Sequence, residues 1–355
     1  MSSELERRLE SLLAEAPDPE PGAGEEALHR SLRALQPGSP GHRGFRTAVL
    51  AFAAAVVLLA IAAGSLGAAG ALHVSIGTKP NHRAPLATHL VLPKGANGIA
   101  AIVDGKLSVA TKDGLGRHGK PVNAAALSPR ALYVAAGVDH SLVAMAPNGR
   151  TAWSRPTGGE VVALAWAPDG LQIAYVVRAG RRFVLHLVYG NGINDKTIDR
   201  SVRPVTPSWR ADSLAFAYVG GGGRAIVYDL AHRTHRLAGN IAPVTHVAFA
   251  PTGSKLALAT SGALFLGTKK VLGGDVHALG WLDGRLTAAF SGLGPDNVFL
   301  FASNRTVYHS YPAHGMVQSV TPAHVLVRDG PRVFAGHRTL MTVPRNASVR
   351  DVQLG

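Results

Sequence analysis

Four times between residues 166 and 290 the chain repeats one short pattern: an aromatic residue, a tight turn and an apolar strand. Trp166-Ala167-Pro168-Asp169-Gly170 precedes Leu171-Gln172-Ile173-Ala174-Tyr175-Val176-Val177, and Phe249-Ala250-Pro251-Thr252-Gly253 precedes Ser254-Lys255-Leu256-Ala257-Leu258-Ala259. Trp281-Leu282-Asp283-Gly284 leads into Arg285-Leu286-Thr287-Ala288-Ala289-Phe290, and Trp209-Arg210-Ala211-Asp212-Ser213 into Leu214-Ala215-Phe216-Ala217-Tyr218. Weaker copies start at Val91, Leu127 and Val320, so the anchor positions are spaced by 36, 39, 43, 40, 32 and 39 residues. Proline sets φ at the first corner of such a turn and glycine accepts the left-handed one. Two further strands follow in each unit, for example Ala225-Ile226-Val227-Tyr228 and Thr234-His235-Arg236-Leu237. A four-stranded sheet cannot bury both faces alone, whereas a ring of such sheets can. The reading is an all-β β-propeller over residues 85–355, of about seven units, with six or eight also compatible.

What precedes the repeats is different. Residues 47–72 hold 26 positions without a charged residue or histidine. As a helix they would extend roughly 39 Å, enough to cross a ~30 Å hydrocarbon core with some tilt. A buried helix of that length would rarely be apolar on every face, so a membrane anchor, in contact with lipid, is expected here. The small residues Gly67-Ala68-Ala69-Gly70-Ala71 leave signal-peptide cleavage open, although the leader and apolar run are long for one. Within residues 1–46, Ser3 and Glu6 form a capping box, and Leu5, Leu9, Leu12 and Leu13 share a helical face. Glu25–Leu35 is a second helical candidate. Two short helices bury little alone, so this leader is read as a tether or as a segment that folds on a cytoplasmic partner. Residues 73–84 form a linker. Basic residues flank both ends of the span, so local charge hardly decides its orientation.

Cysteine is absent, which excludes disulfides and thiolate chemistry. The leader carries eight acidic and six basic residues, so the basic surplus of the chain lies beyond the span. Such a surplus suits anionic surfaces, although an arginine-rich composition accounts for it as well.

The Trp-Ala-Pro-Asp-Gly phrase with its Ile-Ala-Tyr strand resembles the WD40-like repeat of TolB-type β-propellers. The order leader, span, propeller is similar to membrane-anchored WD40-like propeller proteins of actinobacteria. The resemblance departs at Trp209, which lacks the following proline, and at Trp281, whose turn is one residue shorter. It implies a propeller on the extracytoplasmic side of the cell membrane with a cytoplasmic N-terminus. It implies function poorly, because propellers serve as scaffolds, receptors and enzymes.

No catalytic constellation emerges. A nucleophile elbow, a P-loop and a dinucleotide fingerprint are all missing from the sequence. The expectation is therefore no enzyme and no cofactor. Among sixteen histidines, His232 and His235 read as exposed turn residues on opposite faces of a strand, and no metal site is expected. His309 and His314 bracket Tyr311-Pro312, and His324 and His337 fall in the last unit, without a spacing that converges them. His246 and His277 are the candidates for facing the channel, because each lies on an entering strand shortly before its anchor. The repeat residues Trp166, Pro168, Asp169, Gly170, Trp209, Phe249, Pro251, Gly253, Trp281 and Gly284 read as structural. Gly220–Gly223 reads as a flexible hairpin. The leading functional reading is a tethered binding or scaffold module for a protein, wall polymer or small ligand, with no nucleic-acid partner. The alternatives are an anti-sigma-like transmembrane regulator and a propeller hydrolase or lyase.

Overall fold

The computed structural model describes residues 89–93, 96–112, 114–290, 297–302, 305–310, 316–321, 324–335, 338–343 and 349–354. The leader, the apolar span at 47–72 and the linker lie outside these residues, as do His314 and His337. Among the described residues no helix is long and apolar enough to cross a membrane.

The described residues form 29 strands in seven antiparallel sheets. Numbered along the chain, sheet 2 runs from Ala125–Leu127, sheet 3 from Glu160–Trp166, sheet 4 from Ser208–Trp209, sheet 5 from Val244–Phe249, sheet 6 from Val276–Leu282 and sheet 7 from Met316–Val320. Each of these is the first strand of its sheet, and the next three follow in order outward. Sheet 1 differs. Its first strand is Val349–Leu354, the last of the chain, paired antiparallel with Gly98–Val103 so that Ile99 faces Leu354. His89–Leu90 is added on the outer side of sheet 7, with His89 opposite Thr342. The two ends of the described chain thus overlap on neighbouring sheets and close the ring.

This closure corrects one anchor. Val91 follows the outer-edge strand of sheet 7 and does not begin sheet 1; its N–H donates to the Leu340 carbonyl. Leu354 occupies the position that Leu127, Trp166 and Trp209 hold elsewhere. The reason is topological. A ring needs a lock between its ends, and pairing the last strand with the first sheet leaves no open edge there.

Side chains of a strand alternate between two faces. Here both faces are buried, so the second strands read as unbroken apolar runs. Ile99, Ala101 and Val103 pack on sheet 7, with Leu326 and Leu340, while Ala100 and Ile102 pack on sheet 2, with Val134 and Val143. Apolar layers of this kind recur between each pair of consecutive sheets, including that between sheets 7 and 1.

The turns follow the repeat. Gly170 and Gly253 adopt φ of 76° and 71°, the left-handed corner. In sheet 4 that corner falls to Ser213 at φ 61°, and its Oγ accepts the Asp169 N–H of the neighbouring turn at 3.0 Å. The short turn of sheet 6 is a two-residue hairpin with Asp283 and Gly284 both at positive φ, between Leu282 and Arg285. Gly220–Gly223 is a hairpin but a wedged one. The Gly221 N–H donates to the Ser201 carbonyl at 2.6 Å, and the Gly223 carbonyl accepts from Val244 at 2.7 Å.

Candidate functional site

The anchors join one sheet to the next. The Trp166 indole N–H donates to the Ala126 carbonyl at 3.0 Å, Trp209 to Ala165 at 3.1 Å and Trp281 to Ala248 at 3.2 Å. Each acceptor immediately precedes the anchor of the sheet before. Phe249 has no indole, and its backbone N–H donates instead to Ser208 Oγ at 2.8 Å. Gln353, the residue before Leu354, donates to the Ala125 carbonyl and accepts from Leu127 N–H. Ser319 Oγ donates to the Val352 carbonyl at 2.7 Å. At the junction of sheets 6 and 7 the strands come so close that a Cβ on Gly280 would sit 2.6 Å from the Val320 carbonyl oxygen. Small residues before the anchors therefore set how tightly the first strands converge.

The first strands of sheets 4, 5, 6, 7 and 1, with Pro168 of sheet 3, line a cavity of about 700 Å³. Its rim on one side carries Pro168, Ala211 and Pro251 from the repeat turns. Its wall includes His246 and His277, so both channel candidates reach it. The aiming device is a β-bulge in each longer first strand, which turns an extra residue out of the ladder. Thr245 is bulged in sheet 5, His277 in sheet 6 and Gln318 in sheet 7. All three line the cavity. The bulges gave no signal in the sequence beyond the uneven distance of the two histidines from their anchors.

The wall holds hydroxyls, carboxamides and imidazoles, and no carboxylate, ammonium or guanidinium among the described residues. Its titratable side chains there are His246 and His277. Burial, followed by the charge of His277, pushes the His246 imidazole below its ordinary value, with Asp275 opposing. His246 Nδ1 lies 3.1 Å from the Thr245 hydroxyl. This chemistry suits neutral hydrogen-bonding groups such as amides and hydroxyls. Among the described residues no group of three or more histidine or carboxylate side chains is placed to hold a metal ion.

A second polar feature lies between sheets 2, 3 and 4, away from the channel. Tyr175 is fully buried, and its hydroxyl donates to Asp195 at 2.9 Å. Arg155 of sheet 2 reaches the same carboxylate at 3.1 Å and the Gly192 carbonyl at 3.1 Å. His186 stacks on Tyr175 with ring centroids 5.1 Å apart and lies 3.4 Å from Asp195. Burial works against the Asp195 charge, yet the neighbouring His186, the Tyr175 hydroxyl and the Arg155 guanidinium outweigh it and hold its pKa low. Gly192 is required here, because its φ is 83° and a Cβ would strike the Trp153 ring at 2.7 Å.

Tyr218 occupies the same repeat position in sheet 4. Its hydroxyl donates to Asp199 of sheet 3 at 2.9 Å and meets His235 Nδ1 at 2.9 Å. Burial and the Asp199 carboxylate push the phenol far above its ordinary range, so it stays protonated. His235 is thus not simply a solvated turn residue, as its exposed strand suggested. His232 is exposed and caps Asp229 at 3.0 Å. The two tyrosines were visible in the repeat, but their carboxylate partners fall at no repeat position.

No protein-family profile matches the chain, and no curated protein does. Among solved structures, TolB from Acinetobacter baumannii aligns with a TM-score of 0.42 at 14% identity, over 61% of this chain and 65% of that one. The alignment therefore spans just under two thirds of that TolB. The β-propeller domain of Cps50 (Swd1) from Myceliophteria thermophila aligns with a TM-score of 0.51 at 12% identity, over 69% of this chain and 94% of that one. At such identity the likeness to the Cps50 domain is one of fold, and it agrees with the ring of sheets. The described residues form an all-β propeller.

Proposed function

We propose that this propeller is a binding module for a protein partner, held at the membrane by residues 47–72 with the propeller on the extracytoplasmic side. The observation that carries the binding role is the cavity lined by the first strands of sheets 4–7 and 1, with the bulged Thr245, His277 and Gln318 in its lining. Strands locked edge to edge present these groups on a rigid frame, which lowers the ordering cost of binding. Hydroxyl and carboxamide groups there match the amide groups of a peptide. The apolar span and the family order of leader, span and propeller support the tethered arrangement.

Site-specific photo-crosslinking in the full-length chain tests it. A benzophenone side chain at Gln318 or Thr206, beside the cavity, is expected to give a discrete protein adduct in intact cells. The same group at Arg236 on an outer strand is expected to give none. Adducts only at Arg236 would overturn the reading. The tethered arrangement predicts that protease added outside spheroplasts digests the propeller; complete protection there would refute the orientation.

A further inference from the structure

Of the seven large apolar side chains exposed among the described residues, six lie on the face that carries the repeat turns of sheets 2, 3 and 4. Leu132, Leu171 and Leu214 are 61%, 53% and 52% exposed. They hold one repeat position, two residues before Val134, Ile173 and Phe216, which pair with the anchors Leu127, Trp166 and Trp209. Tyr133 adjoins the first of them. Tyr189 and Ile193 belong to the connection between the third and fourth strands of sheet 3, which opens on the same face, because the Gly190 N–H donates to the Leu171 carbonyl at 2.8 Å. The turns touch one another. A Cβ on Gly170 would lie 3.8 Å from Pro129, and the Asp169 N–H is bonded to Ser213. The leucines therefore form a row over three consecutive sheets. Single exposed apolar residues are ordinary on a protein surface, whereas a row at one repeat position is a surface.

The charges around the row lean positive. Arg130, Arg150, Arg233 and Lys255 are exposed in turns on this face, and none makes an ion pair among the described residues. Of the carboxylates there, Asp212 is paired with Arg210, whereas Asp169 and Asp229 are hydrogen-bonded and keep their charge. Asp169 accepts from the Leu171 N–H, Asp212 from Arg210 and the Leu214 N–H, and Asp229 from His232. The face thus offers apolar side chains, two tyrosines and an excess of cations. Tyrosine and arginine are the residues that commonly anchor protein interfaces.

We infer that the turn face of sheets 2–4 is the docking surface of the propeller, and that its partner is an acidic protein segment carrying aliphatic side chains. The proposal rests on the binding role given above and assigns it a surface and a partner chemistry. Arg130 and Arg150 meet the carboxylates of the segment, and the leucine row takes its apolar residues. The rim residues Pro168 and Ala211 belong to the same turns, so a segment seated on the row lies beside the cavity mouth.

Selection of displayed random peptides on the purified full-length chain tests this. The selected peptides are expected to be enriched in Asp or Glu interleaved with Leu, Ile or Phe. A chain with Leu132→Ser, Leu171→Ser and Leu214→Ser is expected to bind a synthetic copy of the leading peptide at least about tenfold more weakly, with an unchanged thermal unfolding midpoint. Arg130→Glu with Arg150→Glu is expected to weaken the same peptide and to favour its lysine-for-glutamate counterpart. Peptides without acidic enrichment, or bound equally by the leucine variant, overturn the surface. If such peptides lose binding only with Gln318→Ala and Thr245→Ala, the binding role stands and this surface falls. If no peptide is selected, both fall. If the wild-type chain sediments as a dimer and the leucine variant as a monomer, the row is a self-association face and the proposal fails.

Discussion

The junction between sheets 3 and 4 and that between sheets 6 and 7 solve one packing problem in opposite ways. At the first, Trp209, Phe216, Tyr218 and Tyr228 fill the gap, with the Trp209 and Phe216 rings 4.8 Å apart, and buried polar groups are paired across it. At the second, Gly280 removes its side chain so that the strands touch, and among the described side chains the layer holds valine- and alanine-sized residues and Leu282. The aromatic junctions underlie the exposed leucine row. The close-approach junctions bring the bulged His277 and Gln318 side by side at the cavity. Among the described residues the ring thus contrasts an aromatic, internally bonded seam with a close-approach seam beside the channel.

Unequal substitutions sharpen that contrast. Trp209→Ala removes a buried ring and its hydrogen bond, and is expected to cost about 3–5 kcal/mol. Val320→Ala at the thin junction deletes two methyl groups of a half-buried residue and is expected to cost about 1–2 kcal/mol. Chemical denaturation of full-length chains measures both. Equal losses would break the distinction. Tyr175→Phe removes the hydroxyl that donates to Asp195, leaving Arg155 on the other carboxylate oxygen, and is expected to cost about 1–3 kcal/mol; the loss should shrink when Asp195 is already Asn, as a double-mutant cycle reads.

A smaller effect follows pH. Because the folded His246 has a pKa below its unfolded value, the unfolded chain binds more protons as pH falls through the mid-sixes. Stability is therefore fully present above that range and declines as pH falls below it. His246→Gln is expected to reduce this slope, and an unchanged slope would remove His246 from the account. The exposed Lys120–Asp139 pair lies outside both kinds of seam, and Lys120→Ala is expected to leave the unfolding midpoint unchanged.

Much of the fold was legible because each unit repeats the residues that its physics requires. Aromatic anchors, turn prolines and glycines, and doubly buried apolar strands all recur at fixed offsets. The first anchor was misplaced at Val91 because the lock between chain ends pairs residues 255 positions apart, Ile99 with Leu354, and nothing local announces it. At the cavity, His246 and His277 could be placed from their distance to Phe249 and Trp281. Thr245 and Gln318 could not, since a bulge depends on strand pairing and has no residue signature of its own. The Asp195 and Asp199 partners of the buried tyrosines were equally hidden, because they lie at the outer edge of a sheet where the repeat is weakest. The leucine row was present at one repeat position, but its exposure depends on the turn geometry.

The most direct measurement is hydrogen exchange of the full-length chain, alone and cross-linked to the protein captured at Gln318. Partner binding at the turn face predicts slowed exchange in residues 128–133, 167–172 and 210–215 and in the first strands of sheets 5 and 6. Protection confined to outer strands such as Thr234–Leu237 would contradict it.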